Sequence, residues 1–386
     1  MSLRAWLLAV SLAAAVPCAA QAPASVPAVP DFAGPALLAP AVAVIPTPPD
    51  FPRGKISGVV FGDYYGNLAG DPRHAYSSSG ADSGRANIDN SGKPITRDLN
   101  GFQIRRIYFQ LDNDLSIRVS TRFRLEADGR SLASDGKLGV SVKGAYLQVR
   151  RVCPRGDLFF GVISTPTFDG VEEFWQYRSV EKTLTDFRGL GGSTDLGAAL
   201  RGSFDPDRRF GYALMVGNGA GQKPEDNRYK RLYASLPVRA GALRIEPYAD
   251  YESAAGGRDR ATYKLFVGYE PGRAAIGVEL LDRVDHRSAG GNQEPVGASL
   301  FVRGAPREQL AAFARVDLYR PDRRAADRVD SQLWIAGLDW QPFRDVHFMP
   351  NLEAVQYRAR GAAVAPAHHD LQARLTISYK FSKPQS

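Results

Sequence analysis

Residues 115–127 read LSIRVSTRFRLEA, and this alternation constrains the fold more than any other stretch of the chain. Its odd positions are Leu115, Ile117, Val119, Thr121, Phe123, Leu125 and Ala127; its even positions are Ser116, Arg118, Ser120, Arg122, Arg124 and Glu126. Successive side chains of a strand point to opposite faces, so a strand here has one nearly apolar face and one bearing three arginines. A helix would scatter those arginines around its circumference. The pattern returns near the C-terminus, where Leu371, Ala373, Leu375, Ile377, Tyr379 and Phe381 alternate with Gln372, Arg374, Thr376, Ser378 and Lys380. It returns mid-chain, where Tyr263, Leu265, Val267 and Tyr269 alternate with Lys264, Phe266 and Gly268. Trp334, Ala336, Leu338 and Trp340 alternate less cleanly with Leu333, Ile335, Gly337 and Asp339.

Two-faced strands suit a soluble sandwich or a membrane barrel, and three features favour the barrel. The runs often reach ten residues or more, near the 9–11 that a tilted strand needs to cross a bilayer. Aromatic pairs bracket apolar faces: Trp334 and Trp340, like Tyr263 and Tyr269, stand about 20 Å apart at roughly 3.4 Å per residue, close to the spacing of two interfacial girdles. The opposite faces also carry too much charge for a dry core, since burying Arg118, Arg122, Arg124 and Glu126 would cost several kcal/mol per ion. The expected strands lie near 55–65, 102–112, 115–127, 137–150, 157–163, 194–204, 209–217, 228–237, 242–252, 261–270, 273–283, 295–304, 309–320, 331–341, 345–358 and 368–381. That makes about sixteen, an even number as a single-chain outer-membrane barrel requires. Asn113-Asp114 and Pro271-Gly272 read as tight turns, and 66–100, 164–193 and 218–227 as long loops. Pro247 and Pro350 fall inside expected strands, where proline weakens a ladder.

The first twenty residues read as an export signal, with Arg4 before the apolar run Ala5 to Val16 and Cys18-Ala19-Ala20 at the cleavage site. Residues 21–53 are rich in Pro and Ala and read as an extended or disordered leader ahead of a barrel domain at 54–381, with a short tail at 382–386. Beyond the signal no run approaches a membrane-spanning helix. Cys18 and Cys153 permit no disulfide framework and no Cys-x-x-Cys metal site. The 49 basic residues against 41 acidic ones are interleaved, so no nucleic-acid-binding arm is expected.

Three segments resemble the phosphate-selective porin O/P family: GFQIRRIYFQLDNDLSIRVSTRFRLEADG at 101–129, FFGVISTPTFDGVEEF at 159–174 and LGGSTDLGAALRGSF at 190–204. They are similar to the family's opening hairpin, the element that starts its inward loop, and its return strand. The chain departs from that pattern at Ser164-Thr165-Pro166-Thr167 and in the residues after Phe381. The resemblance implies an all-β, transmembrane antiparallel barrel with an inward-folded constriction loop, trimeric in the bacterial outer membrane, that passes small hydrophilic solutes and favours anions, phosphate among them.

With apolar faces outward, the lumen-facing basic residues are Arg106, Arg118, Arg122, Arg124, Arg201, Arg244, Lys264, Arg315, Arg374 and Lys380. The lumen-facing acids are Asp112, Glu126, Asp195, Glu246, Asp250, Glu279 and Asp317. Guanidinium forks in a narrow lumen lower the energy of phosphate or carboxylate, although the same arginines can instead pair with neighbouring acids. Loop 164–193 is the expected constriction, its acids Asp169, Glu172, Glu173, Glu181 and Asp186 facing the arginines to set a transverse field. Neither catalytic nor metal-binding constellations stand out, and no cofactor is implied; the histidines His74, His286, His347, His368 and His369 fall mostly in expected loops. The expected partners are outer-membrane lipid and small anionic solutes. Two alternatives share these patterns: a barrel without transport function, plugged by its loop or serving adhesion, and a soluble periplasmic β-sandwich.

Overall fold

Alternating sequence gives alternating burial in the computed structural model, which describes residues 51–70, 75–76, 82–85, 97–132, 137–287, 291–361 and 369–385. The export signal, nearly all of the leader, most of the 66–100 loop, His74 and His368 lie outside the described residues. Sixteen strands form one antiparallel barrel: β1 (Arg53–Ala69), β2 (Asn100–Asp114), β3 (Val119–Leu132), β4 (Leu138–Cys153), β5 (Gly156–Ser164), β6 (Thr194–Ser203), β7 (Gly211–Gly217), β8 (Arg231–Ser235 continued by Val238–Ala240), β9 (Leu243–Glu252), β10 (Arg260–Tyr269), β11 (Ala274–Asp285), β12 (Val296–Arg307), β13 (Leu310–Arg320), β14 (Arg328–Phe343), β15 (Val346–Arg360) and β16 (Asp370–Gln385). Each strand pairs with its neighbours in sequence, and β1 pairs with both β2 and β16, which closes the ring. Residues 382–385, expected as a tail, instead extend β16 along β1 from Ser57↔Ser382 to Gly54↔Gln385.

The apolar faces look outward. Phe123, Tyr269, Leu318, Trp334, Leu338, Trp340, Leu375 and Tyr379 are exposed on the outer wall, while Lys264, Phe266, Gln372, Arg374 and Thr376 are buried inside it. That is the wall a bilayer-spanning barrel presents to lipid. Tight turns gather at one end, including 115–118, 154–155, 241–242 and 344–345, and long connections at the other, including 165–193 and 218–230.

Two expectations need correcting at the β2–β3 turn. The strand begins at Val119, not Leu115, because the Ser116 hydroxyl accepts the amides of Arg118 (3.3 Å) and Val119 (3.1 Å) and folds 115–118 into the turn. Arg118 therefore sits exposed at the barrel's end, donating to the Arg151 carbonyl at 3.0 Å, and does not line the lumen. The prolines sit where the ladders give way. Pro247 of β9 faces Leu236-Pro237, the two residues that interrupt β8. The β14–β15 ladder skips Leu338 and Asp339 where it meets Pro350, which has no amide hydrogen to give.

Candidate functional site: the lumen and its folded loop

Residues 165–193 leave β5, turn into the barrel and return at β6 with two short helices, α1 (Asp169–Trp175) and α2 (Leu184–Phe187). The neck is pinned by the Thr residues of the departing motif. The Thr165 hydroxyl lies 2.6 Å from the Gly192 carbonyl oxygen, and that of Thr167 lies 2.8 Å from the Tyr248 hydroxyl. Beyond it, Val171, Phe174, Trp175, Tyr177 and Val180 pack on lumen-facing Phe266, Phe301, Phe313, Leu333, Ile335 and Met349. Trp175 has no exposed surface, and its indole N–H donates to the Glu181 carbonyl at 3.1 Å. Tyr177 stacks on Phe313 with centroids 4.1 Å apart. The loop has its own core inside the barrel.

Backbone carbonyls carried into a lumen need donors, and wall cations supply them. Lys264 donates to Thr167, Arg303 to Phe174 (3.2 Å), Arg105 to Ser179 (3.2 Å) and Val180, Arg315 to Lys182 (2.5 Å), and Arg283 to Leu190 (2.9 Å). Lys264 and Arg315, expected to line a water path, are thus buried loop anchors. Arg374 belongs with them, set between Glu353 and Glu181.

The loop acids are likewise engaged. Asp169 pairs with Arg201 (2.7 Å), Glu172 with Arg178 (2.9 Å), Glu173 with Arg244 (2.9 Å) and Arg239, Glu181 with Arg105 (2.9 Å), and Asp186 with Arg178 (2.9 Å). Enclosure pushes Glu172 above the ordinary carboxylate range although Arg178 pulls the other way. For Asp186 enclosure is outweighed by Arg178 and Lys182, and for Glu181 by Arg105 and Arg374; both are held below that range. Asp169, Glu173 and Glu181 thus tie the loop to wall arginines, whereas Glu172 and Asp186 brace it internally through Arg178.

Strands β2 and β3, with Lys380 of β16, hold the rest of the expected basic set. Arg106 pairs with Glu126 (2.7 Å) and Asp128 (3.4 Å), and Arg122 with Asp112 (2.6 Å). Arg124 differs: its Nε donates to the neutral Gln110 side chain at 2.6 Å, its guanidinium lies 5.4 Å from the Tyr108 ring centroid, and no carboxylate of the described residues is within ion-pair distance. Arg124 lines a cavity of about 570 Å³ on the tight-turn side of the loop, together with Tyr108, Glu172, Arg178, His347 and Lys380. Within it Arg178 bridges Glu172 and Asp186, and His347 meets Asp339 at 2.9 Å. Lys380, like Arg124, makes no ion pair among the described residues. Arg124 and Lys380 are thus the two cations of the cavity wall with no carboxylate partner among the described residues. Among the described residues no group of three or more His, Cys, Asp or Glu side chains converges as a metal site requires.

Strict alternation missed two cations. Arg105 is an extra residue between the pairs Phe61↔Arg106 and Gly62↔Ile104, and this bulge turns both Arg105 and Arg106 inward. A second bulge, between Arg124↔Gly144 and Leu125↔Val142, aims Lys143 at Glu126 (2.9 Å) and the Ser193 hydroxyl (2.9 Å). The Arg105-Arg106 doublet was the available signal, since plain alternation would leave one guanidinium facing lipid.

No family model and no curated protein matches this sequence. Solved structures do match its fold. The anion-selective porin from Comamonas acidovorans is 13% identical at a TM-score of 0.59, covering 85% of this chain and 99% of its own. The outer membrane channel DcaP of Acinetobacter baumannii is 12% identical at 0.61, covering 85% and 97%. The outer-membrane expressed OmpT of Vibrio cholerae is 12% identical at 0.58, covering 86% and 98%. At these identities the likeness is one of fold: a closed sixteen-stranded barrel of the porin type.

Proposed function

We propose that the chain is a bacterial outer-membrane porin, a passive water-filled channel for small hydrophilic solutes that favours anions, with phosphate and related oxyanions suited to its guanidinium groups. One observation carries the reading: in the cavity beside the loop each acid has a side-chain partner, whereas Arg124 and Lys380 have no carboxylate within ion-pair distance among the described residues. A positive charge roughly 6 Å from a passing anion lowers its energy by about 0.7 kcal/mol in bulk water and about 3 kcal/mol at the effective dielectric of a protein surface. The resemblance to the phosphate-selective porins points the same way, as does the fold shared with a porin named as anion-selective. Cleavage of the export signal and assembly as a homotrimer belong to the reading; a Vibrio cholerae neighbour was solved in a trimer form. No catalytic step, cofactor or energy source is part of it.

The test is the reversal potential of the purified barrel in a planar bilayer under a KCl gradient. A potential of the chloride sign is expected, and one of the potassium sign overturns anion preference. The second reading, a barrel plugged by its loop, is favoured by the complete burial of Trp175 and by the wall cations on the loop carbonyls. Absence of conductance in a folded sample selects it.

A further inference from the structure

Near the long-loop end of β13 to β15 four arginines look outward together from the outer wall. Arg320, Asp330 and Arg358 lie in one cross-strand row, and Arg328 lies opposite Arg360 one step nearer the end. The carboxylate of that row is shared: Asp330 lies 2.9 Å from Arg328, 3.4 Å from Arg360 and 3.7 Å from Arg320. Arg358 has no carboxylate within ion-pair distance among the described residues. The neighbouring segments 288–290 and 362–368 contain no acidic residue to supply one. The four guanidinium groups outnumber the carboxylates around them, Asp330 in their row and Asp327 in the adjoining turn beside Gly361, and leave a local excess of positive charge.

Arg320, Asp330, Arg358 and Arg360 border a hollow of about 640 Å³, whose floor includes Val296, Ala298 and Leu318. Toward the membrane centre, further cross-strand rows form a second hollow of about 380 Å³ between Leu300, Val316, Trp334 and Leu352, floored by Ala314 and Ala354. Small alanines between large side chains leave a trough. A basic hollow at headgroup depth, separated by the row of Leu318, Gln332 and Gln356 from an apolar trough at acyl-chain depth, matches the two ends of one amphiphile.

We propose that this face is a binding site for a membrane lipid with a phosphorylated headgroup. Its phosphate would lie among Arg320, Arg358 and Arg360, and an acyl chain would lie along the trough beside Trp334. Charge complementarity selects the headgroup, since clustered Arg at the membrane surface attracts anionic lipid and guanidinium forks fit phosphate. The long-loop end is the outer-leaflet end of such a barrel, so the lipid is one of the outer leaflet. The site lies outside the lumen and does not depend on whether the barrel conducts.

The experiment is native mass spectrometry of the full detergent-purified barrel, with diphosphoryl lipid A as the probe. Retention of the probe is expected, at least tenfold stronger than that of its dephosphorylated form. Arg358→Ala, which breaks no ion pair, and Arg358→Ala/Arg360→Ala should weaken retention at least fivefold while heat-modifiable gel mobility stays that of the folded barrel. Inorganic pyrophosphate at equal concentration should leave the lipid in place. Equal retention by wild type and double variant, equal retention of the dephosphorylated lipid, or displacement by pyrophosphate alone overturns the proposal. So does a second copy of the chain covering the face, read as disulfide-linked dimers of Arg358→Cys.

Discussion

Between β9 and β15 the lumen is filled with rings, whereas between β2 and β4 it is lined with guanidinium groups. Both walls are built from strands with the same outward apolar face. They differ in what the inward positions carry: Phe266, Phe301, Phe313, Leu333, Ile335 and Met349 on one side, Arg106, Arg122 and Arg124 on the other. The apolar side receives the loop and becomes a dry core. The basic side borders the cavity. A single loop thus divides one barrel into a structural half and a cavity-lined half, and cations serve both. Lys264, Arg283, Arg303 and Arg315 hold loop carbonyls in the first. In the second Arg105 does the same, Arg106 and Arg122 meet acids, and Arg124 lines the cavity.

The largest effect is expected where the dry half is cut. Trp175→Ala removes a fully buried ring and should cost about 3–5 kcal/mol of loop docking. Single-channel records should then show a larger, noisier conductance; an unchanged trace would mean that the loop does not limit the path. The cavity-lined half is broken by Arg124→Ala/Lys380→Ala. Losing about 0.7 kcal/mol or more of anion stabilisation corresponds to a drop of threefold or more in the anion-to-cation permeability ratio, read from reversal potentials.

Acidification sharpens the contrast. Glu172 has a raised pKa, so its charge is lost as pH falls before those of ordinary carboxylates, and anion preference should rise modestly ahead of their titration. Asp186 and Glu181 have depressed values. Their contribution to docking is therefore fully present above the unfolded carboxylate range near pH 4, and is lost only as pH falls through the lower folded values. Trp175 fluorescence in a Trp334→Phe/Trp340→Phe barrel should stay that of a buried indole to about pH 4; exposure well above that pH would reverse the assignment. The smallest effect belongs to Arg118→Ala. Because Arg118 lies in a turn, the permeability ratio should not move, and a shift comparable to that of Arg124 would put it back in the lumen.

Alternation made the barrel legible, because lipid and water on opposite faces impose period two on every strand. Its lapses were legible too, although they carried a different message. The less clean β14, with Leu333 and Ile335 on the supposedly wet face, and the isolated Phe266 on β10 are the sockets for the loop. Such residues look like noise until the side chains that cover them are known, and those come from a segment about 160 residues away from Leu333. The lumen-facing charges were legible as a set but not as roles. Which arginine anchors a carbonyl, which meets an acid and which stays unmatched depends on where the loop lands, and no strand pattern encodes that. The inward turn of Arg105 and Lys143 depends on bulges, which shift the phase of a strand without altering its composition.

The seam between β1 and β16 joins positions more than three hundred residues apart, and inside it Gln372 donates to Asn67 at 2.7 Å and Thr376 to Asp63 at 2.5 Å. Until the last strand is made, β1 has an unpaired edge, and an open edge cannot reside in hydrocarbon. Insertion is therefore all-or-none with respect to chain length: a barrel truncated before Asp370 has no halfway membrane state to occupy, and quality control need only recognise the ribbon that has not found its end.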